Sequence, residues 1–292
     1  MIAKTTRRFK LSRLILPYNR LGDTLHHHIR FRRIHRRRPS KKSMLFNDVL
    51  LYLQCSSEID APLRRRISDK EFVKEYICKK VGDEFNIPTI AVLRSYADAA
   101  NFAYPHRCVI KPTHASGRVI LRRNGEPIDL QVIKDWFSTN YYFISRERCY
   151  RGLQPKLIVE PFVFDCDDPL DFKVFCWRGE PRMIQVILNR FSDKRYLFFD
   201  AEWNEQPFSF NFPRYDGSFP RPDTLPLMLE LARELSAEFS FLRVDLYTNG
   251  SKVAVGELTS VPAGGKCHFI PPEAESSASR LIFGEDFAST GS

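Results

Sequence analysis

Residues 243–259 read RVDLYTNGSKVAVGELT. Asn249-Gly250 is a strong turn signal, and the apolar alternation on either side marks two strands of a hairpin. Asp245 and Glu257 stand inside those strands, where carboxylates are costly to bury. Two carboxylates brought together repel unless a cation lies between them. Magnesium suits such a pair, because it takes oxygen ligands, commonly one or two carboxylates plus substrate phosphates. Register decides the matter. A two-residue Asn249-Gly250 loop pairs Thr248 with Ser251 and sends the acids to opposite faces. A three-residue loop keeps one face but leaves them about 7 Å out of register at ~3.3 Å per residue. A five-residue loop, Asn249 to Val253, sets Asp245 opposite Glu257. The expectation is this same-face arrangement; the plain alternative is two solvated acids on an exposed hairpin. Arg243 shares the face of Asp245, and Thr259 that of Glu257.

Other charged groups interrupt apolar strands. Lys111 closes CVIKP, and Pro112 then turns the chain away. The following THASGR is small-residue-rich, so backbone N–H groups around Ser116 and Gly117 can approach an anion. Lysine beside such a loop suits polyphosphate, although the Walker spacing is absent, and a snorkelling lysine is the plain alternative. Glu160 sits in LIVEPFV, where Pro161 removes a backbone donor and prevents normal pairing; an edge-strand acid in water is its ordinary reading. DFKVF places Asp171, Lys173 and Phe175 on one strand face, an arrangement equally compatible with a surface ion pair. Arg190 repeats the pattern of a cation ending an apolar strand.

These residues need strands and helices to position them. FNDVLLYLQ reads as a short amphipathic helix. ISDKEFVKEYICKKVG reads as one helix from Ile67, with Ser68 and Glu71 as a capping box and Gly82 as C-terminal cap. TIAVL, RCVIKP and GRVILRR read as strands, separated by a helix at SYADAANF and followed by one at DLQVIKDWFS. From Lys156 come KLIVEPFV, DFKVFCW and RMIQVILNR as strands, then a helix from Pro222 to Phe239 and the hairpin. The tail from Pro271 is weakly specified. The order is mixed α+β with mainly antiparallel strands rather than strict β-α alternation.

The chain has 292 residues with 43% hydrophobic residues and 24 Phe, enough for a real core. Charge is uneven. Residues 1–43 hold 14 Lys+Arg and a single acid, Asp23, leaving 31 Lys+Arg against 34 Asp+Glu. The formal +10 is therefore a basic arm on a slightly acidic body. Seven scattered cysteines without C-x-x-C argue for free thiols rather than a disulfide framework or zinc site. No run reaches the ~18 apolar residues of a membrane span, and no signal-peptide core is present, so a cytoplasmic location is expected. The segment HHHIRFRRIHRRRPSKK, 26–42, could meet anionic lipid at about 1 kcal/mol per basic residue. Leu14, Ile15, Leu16, Leu21, Leu25, Ile29, Phe31 and Ile34 are interspersed and allow an interfacial helix. Nucleic acid ranks lower, for want of zinc-finger spacing or an RNA-binding aromatic signature, and the plain alternative is a solvated, partly disordered arm.

Taken in order, FND, ISDKEFVKEY, VIKPTHASG, LIVEPFV, DFKVFCWRGEPRMIQV, FFDAEWN, FLRVDLY and VAVGELT resemble the TupA-like ATP-grasp family, over roughly residues 45–270. The resemblance implies an ATP-grasp fold, in which two α+β subdomains grip ATP. With the charge and composition read above, it divides the chain into a basic arm at 1–44, a grasp domain at 45–272 and a tail at 273–292. It places Lys70, Lys111, Ser116 and Gly117 at the phosphates, Glu160 and the backbone of Phe162 at the adenine, and Asp171, Lys173 and Arg190 around the phosphate and acyl-phosphate region. Asp245 and Glu257 would hold Mg²⁺, with Thr259 where many relatives have Asn, and Arg243 would stabilise transferred charge. The implied activity is ATP-dependent carboxylate–amine ligation through an acyl phosphate, on a bacterial surface polysaccharide or its precursor, peripheral at the inner face of the membrane. A glycan kinase and a non-catalytic nucleotide-binding protein are the alternatives.

Overall fold

The computed structural model describes residues 16–288; residues 1–15 and 289–292, with Leu14 and Ile15 of the arm among them, lie outside the described residues. Two antiparallel sheets carry the site. The smaller comprises β1 (Ala91–Leu93), β2 (Cys108–Pro112), β3 (Ile120–Arg122) and β4 (Leu157–Glu160) in the order β1-β4-β2-β3. One face is buried under α5 (Tyr96–Asn101) and α6 (Leu130–Ser138), with Ala99, Ile133 and Trp136 packed on Leu93, Ile110, Leu157 and Val159. Both helices start on side-chain caps: Ser95 and Asp98 form a capping box, and Asp129 accepts from Gln131 and Val132 N–H.

The larger sheet contains β5 (Leu170–Trp177), β6 (Glu180–Leu188), β7 (Arg195–Asp200), β9 (Phe241–Thr248) and β10 (Val253–Thr259), ordered β10-β9-β5-β6-β7. A two-stranded ribbon, β8 (Ser209–Phe210) with β11 (Phe269–Ile270), lies beside it. Period-two alternation gives the large sheet two unlike faces. Phe172, Val174, Ile184, Val186, Val244 and Leu246 pack against α4 (Phe72–Val81) and α8 (Leu225–Ser236). The other face is divided. Its Phe175, Met183 and Phe241 end is buried with Phe46 and Leu50 of α2 (Phe46–Cys55) and Ile282 and Phe283 of α9 (Ala274–Phe283). Its other end is the polar set Asp171, Lys173, Arg243 and Asp245, paired by register Lys173↔Asp245 and Phe175↔Arg243.

Three local expectations are corrected. The helix read from Ile67 is two helices, α3 (Pro62–Ser68) and α4, separated at Asp69, whose backbone is extended. Ser68 is no N-cap: as the last residue of α3 its hydroxyl donates to Arg64 O at 2.8 Å. The Asp69 carboxylate instead accepts from Glu71 N–H at 2.9 Å, and Glu71 turns its own carboxylate to Arg94 and Lys156; an Asx-type bond has outcompeted helix continuation. The weakly specified tail is a core element. Ala278, Ile282 and Phe283 of α9 are buried, and the Trp177 ring meets Phe283 at 4.8 Å. The packed body therefore continues past residue 272.

The described part of the arm is folded onto the body. It forms α1 (Arg20–His35), capped by Asn19 accepting from Gly22 N–H at 2.9 Å. Its single acid anchors it. Asp23 pairs with Arg146 at 3.1 Å, both side chains fully buried, and Tyr142 of α7 (Tyr141–Ser145) donates to the second Asp23 oxygen at 2.7 Å. Among the described residues no helix is long and apolar enough to cross a membrane.

Candidate active site

The two sheets meet at a cleft holding a cavity of about 420 Å³. Ile87, Val109, Leu121, Pro161 and Phe162 line one part of it, while Lys70, Lys111, Lys173, Arg190, Arg243, Asp245 and Glu257 make the remainder strongly charged. An apolar slot joined to a cationic one matches the two halves of a nucleotide.

β2 and β4 deliver the first ion pairs. Register sets Lys111 beside Ile158. Lys111 Nζ donates to Glu160 Oε2 at 2.8 Å, while Lys74 of α4 holds Glu160 Oε1 at 2.5 Å. Burial alone would raise the Glu160 pKa; the two ammonium groups outweigh it and leave it lowered. Glu160 thus positions the lysine as well as bordering the apolar slot. Sequence reasoning missed Lys74, since a lysine on an exposed helix turn carries no signal. Phe162 is buried under the guanidinium of Arg107, 4.2 Å from its ring centre.

The loop after β2 overhangs the cleft. Lys70 reaches it from the start of α4, its Nζ donating to Ala115 O at 2.6 Å and its N–H to Thr113 O at 3.2 Å. Burial lowers the Lys70 pKa against the pull of Glu257. Gly117 has φ +74 and open space where a Cβ would stand, so the backbone there is free to approach a ligand.

The hairpin supplies the rest. The expected opposition holds: Glu257 is the register partner of Asp245, and Thr259 that of Arg243. The route to it differs from the one expected. Val253 pairs with Thr248, so the loop is four residues, Asn249 to Lys252, and a bulge at Gly256 absorbs the fifth. The Asn249 carboxamide stabilises that shorter loop by accepting from Ser251 and Lys252 N–H. A Cβ at the bulge would lie 2.6 Å from the Tyr247 ring and force it to shift, which favours glycine there.

Asp245 sits in a fork. Arg243 Nε and Nη2 bind its two oxygens at 2.6 and 2.7 Å, and Lys173 Nζ donates to Oδ2 at 2.6 Å. Burial pushes the Asp245 pKa up, but Arg243 and Lys173 pull it lower still, so the carboxylate is held ionised. Lys173 also donates to Asp171 at 3.0 Å, and Arg190 takes the other Asp171 oxygen at 2.7 Å. Thr259 Oγ1 accepts from Arg243 Nη2 at 3.0 Å. The Glu257 carboxylate has no hydrogen-bond or ion-pair partner among the described residues, although Lys70, Lys111 and Arg243 all feel its charge.

No cluster of three His, Cys, Asp or Glu suited to a metal occurs among the described residues. Two opposed carboxylates, one of them uncommitted, nevertheless fit magnesium, which completes its shell with phosphate and water. The expected residues line this cleft except two: Asp171 is buried behind it, holding Lys173 and Arg190, and Thr259 borders an adjoining cavity of about 820 Å³ that shares Ser116, Gly117, Arg243 and Glu257.

Solved structures align with the chain at low identity and low TM-score. D-alanine–D-alanine ligase from Bacillus anthracis aligns at 13% identity and TM-score 0.42, covering 77% of this chain and 66% of that one. The Helicobacter pylori D-alanine–D-alanine ligase aligns at 14% identity and TM-score 0.38, covering 77% and 59%. The ATP-grasp ligase PsnB with its minimal precursor gives 13% and 0.37, covering 73% and 59%. The chain thus spans less than two thirds of the length of these structures. No curated protein matches it. The family model for TupA-like ATPgrasp, however, matches residues 52–283, which takes in both sheets, the bulged hairpin and α9. With its two α+β lobes closing on one charged cleft, the chain has an ATP-grasp fold and belongs to the TupA-like ATP-grasp family.

Proposed function

We propose that the protein is an ATP- and magnesium-dependent ligase that joins a carboxylate to an amine. One observation carries the reading: Lys111, Lys173, Arg190 and Arg243 converge with the opposed pair Asp245 and Glu257 in a single cleft that continues into an apolar slot. Phosphoryl transfer asks for positioning and charge neutralisation more than for a protein nucleophile, and that is what this side-chain set offers. The apolar slot receives the purine, with Glu160 and the Phe162 backbone at its edge. Lys70, Lys111 and the loop at Ser116 and Gly117 hold the phosphates. Asp245 and Glu257, with Thr259, would hold magnesium, which would supply charge neutralisation at the phosphates. Arg243 and Lys173 already bracket Asp245 and meet the negative charge that develops on the transferred group.

In the first step a substrate carboxylate oxygen attacks the γ-phosphorus, the bond to ADP breaks, and an acyl phosphate forms. In the second an amine attacks the acyl carbon, the C–N bond forms and phosphate leaves. The resemblance of the motifs suggests a glycan uronic acid, or an amino acid already on a glycan, as the carboxylate, within a bacterial surface polysaccharide. The described part of the arm supports work beside anionic lipid: α1 exposes Leu21, Leu25 and Ile29 next to Arg32, Arg33 and Arg36. The test is product analysis by mass spectrometry with ATP, Mg²⁺ and a panel of uronic acids and amino acids. An amide product with free phosphate supports the proposal; phosphate retained on the acceptor would mean a kinase.

A further inference from the structure

We propose that a separate cavity of about 850 Å³, between α1 and α2, binds one molecule of a long-chain phosphate monoester, its chain inside and its phosphate at Arg20 and Lys41. This cavity shares no lining residue with the charged cleft or with the cavity beside Thr259, so it stands whether or not the protein is a ligase.

Three elements build it. Arg20, Thr24 and His28 follow one another at four-residue spacing, which sets them on one side of α1. Val49, Tyr52 and Leu53 of α2 line the cavity at spacings of three and four, again one side of a helix. The His28 and Tyr52 rings meet edge to face at 6.0 Å and tie the two helices together. Trp177 and Phe241, register partners at the ends of β5 and β9, form a third wall. Trp177 is fixed there, because its Nε1 donates to Asp286 at 2.7 Å and its ring lies 4.8 Å from that of Phe283. The volume and the apolar lining with a few polar groups are those of a small-molecule site.

Polarity is graded by depth. Leu53 and Phe241 are buried, whereas Arg20 and Lys41 are exposed. Neither of these cations has a hydrogen-bond or ion-pair partner among the described residues. Other basic side chains nearby are committed, Arg37 to Asp48 and Glu275 and Arg64 to Glu58. Glu58 is the one acid among the lining residues, and its charge is already met by Arg64 and by the Ser240 hydroxyl, which donates at 2.7 Å. Two uncommitted cations above an apolar pocket complement a doubly charged head on an apolar chain, and a guanidinium matches phosphate oxygens in particular. Leu21, Leu25 and Ile29, all exposed, stand one residue after Arg20, Thr24 and His28. The apolar strip of α1 therefore runs beside the cavity, where a chain leaving a lipid layer would reach it.

The test is calorimetric titration of the full chain with dodecyl phosphate below its critical micelle concentration, beside inorganic phosphate and dodecyl maltoside. Wild type is expected to take up one dodecyl phosphate per chain and to bind each of the other two at least tenfold more weakly. Arg20→Gln with Lys41→Gln, both at exposed positions, should weaken dodecyl phosphate at least tenfold. Replacing Leu21, Leu25 and Ile29 by Ser should change its affinity less than twofold. Dodecyl phosphate should also alter the tryptophan fluorescence of wild type and not that of Trp177→Phe. Failure of dodecyl phosphate to bind, or unchanged binding in the double Gln variant, overturns the proposal. Equal binding of inorganic phosphate would reduce the site to an anion patch, and equal binding of the maltoside to an apolar surface; either overturns it. Loss of binding in the triple Ser variant would put the chain on the outer face of α1 and overturns it too.

Discussion

At the scale of single residues, charge inside apolar sequence was the readable signal. Lys111, Glu160, Asp245 and Glu257 each interrupt a run that would otherwise be core, and all four line one cleft. The second partner of Glu160 was not readable, because Lys74 lies on a helix where charged residues are ordinary. The pairing has energetic consequences. Glu160→Gln leaves Lys111 and Lys74 in a buried site without their shared anion, and a cost of about 3 kcal/mol is expected in urea unfolding. A second consequence concerns pH. His27, buried with its Nε2 on Arg146 O at 3.0 Å, has its pKa lowered from 6.5 to about 3, mainly by burial. As pH falls through about 6.5 the unfolded chain takes up this proton and the folded chain does not. The contribution is therefore fully present above that pH and is lost on acidification towards 3. Between pH 6 and 4 the stability of His27→Gln should fall less steeply than that of wild type, by about 1.4 kcal/mol per pH unit, as read from urea midpoints.

At the scale of elements, period-two alternation placed Asp171 and Lys173 on one face of β5 correctly, because the opposite face is continuously apolar and one register satisfies both. Loop chemistry was less legible. The acids face each other as expected, but through a four-residue loop and a bulge rather than a five-residue loop, since Asn249 folds its side chain over the shorter turn. Gly256→Ala would press on the Tyr247 ring at the bulge and is expected to cost about 1–2 kcal/mol in denaturant unfolding. The tail was misjudged because α9 is rich in Ser and Ala, and its apolar residues matter only once Phe46 and Trp177 cover them. Phe283→Ala is expected to destabilise by about 3–5 kcal/mol, measured the same way. A loss below 1 kcal/mol would show α9 to be dispensable.

At the scale of the whole molecule, two lobes, a hairpin and an added helix surround one continuous charged space. The mixed, antiparallel order of the strands was legible because each strand is bounded by turn residues. The docking of α1 was not, since the partner of Asp23 is an arginine 123 residues away. Its outward face gives a further prediction. Full-length protein should sediment with vesicles containing anionic phosphatidylglycerol and far less with neutral phosphatidylcholine, and added salt should release it. Replacing Leu21, Leu25 and Ile29 by Asp should abolish sedimentation; equal binding to both vesicle types would remove the membrane role. The central claim is that the opposed acids serve ATP-driven amide formation. It is tested most directly by magnesium-dependent ADP release, with product mass, for wild type and for Asp245→Asn with Glu257→Gln. The account predicts an amide and free phosphate from wild type, and a loss of at least a hundredfold in the double variant. Undiminished turnover in the double variant would contradict it.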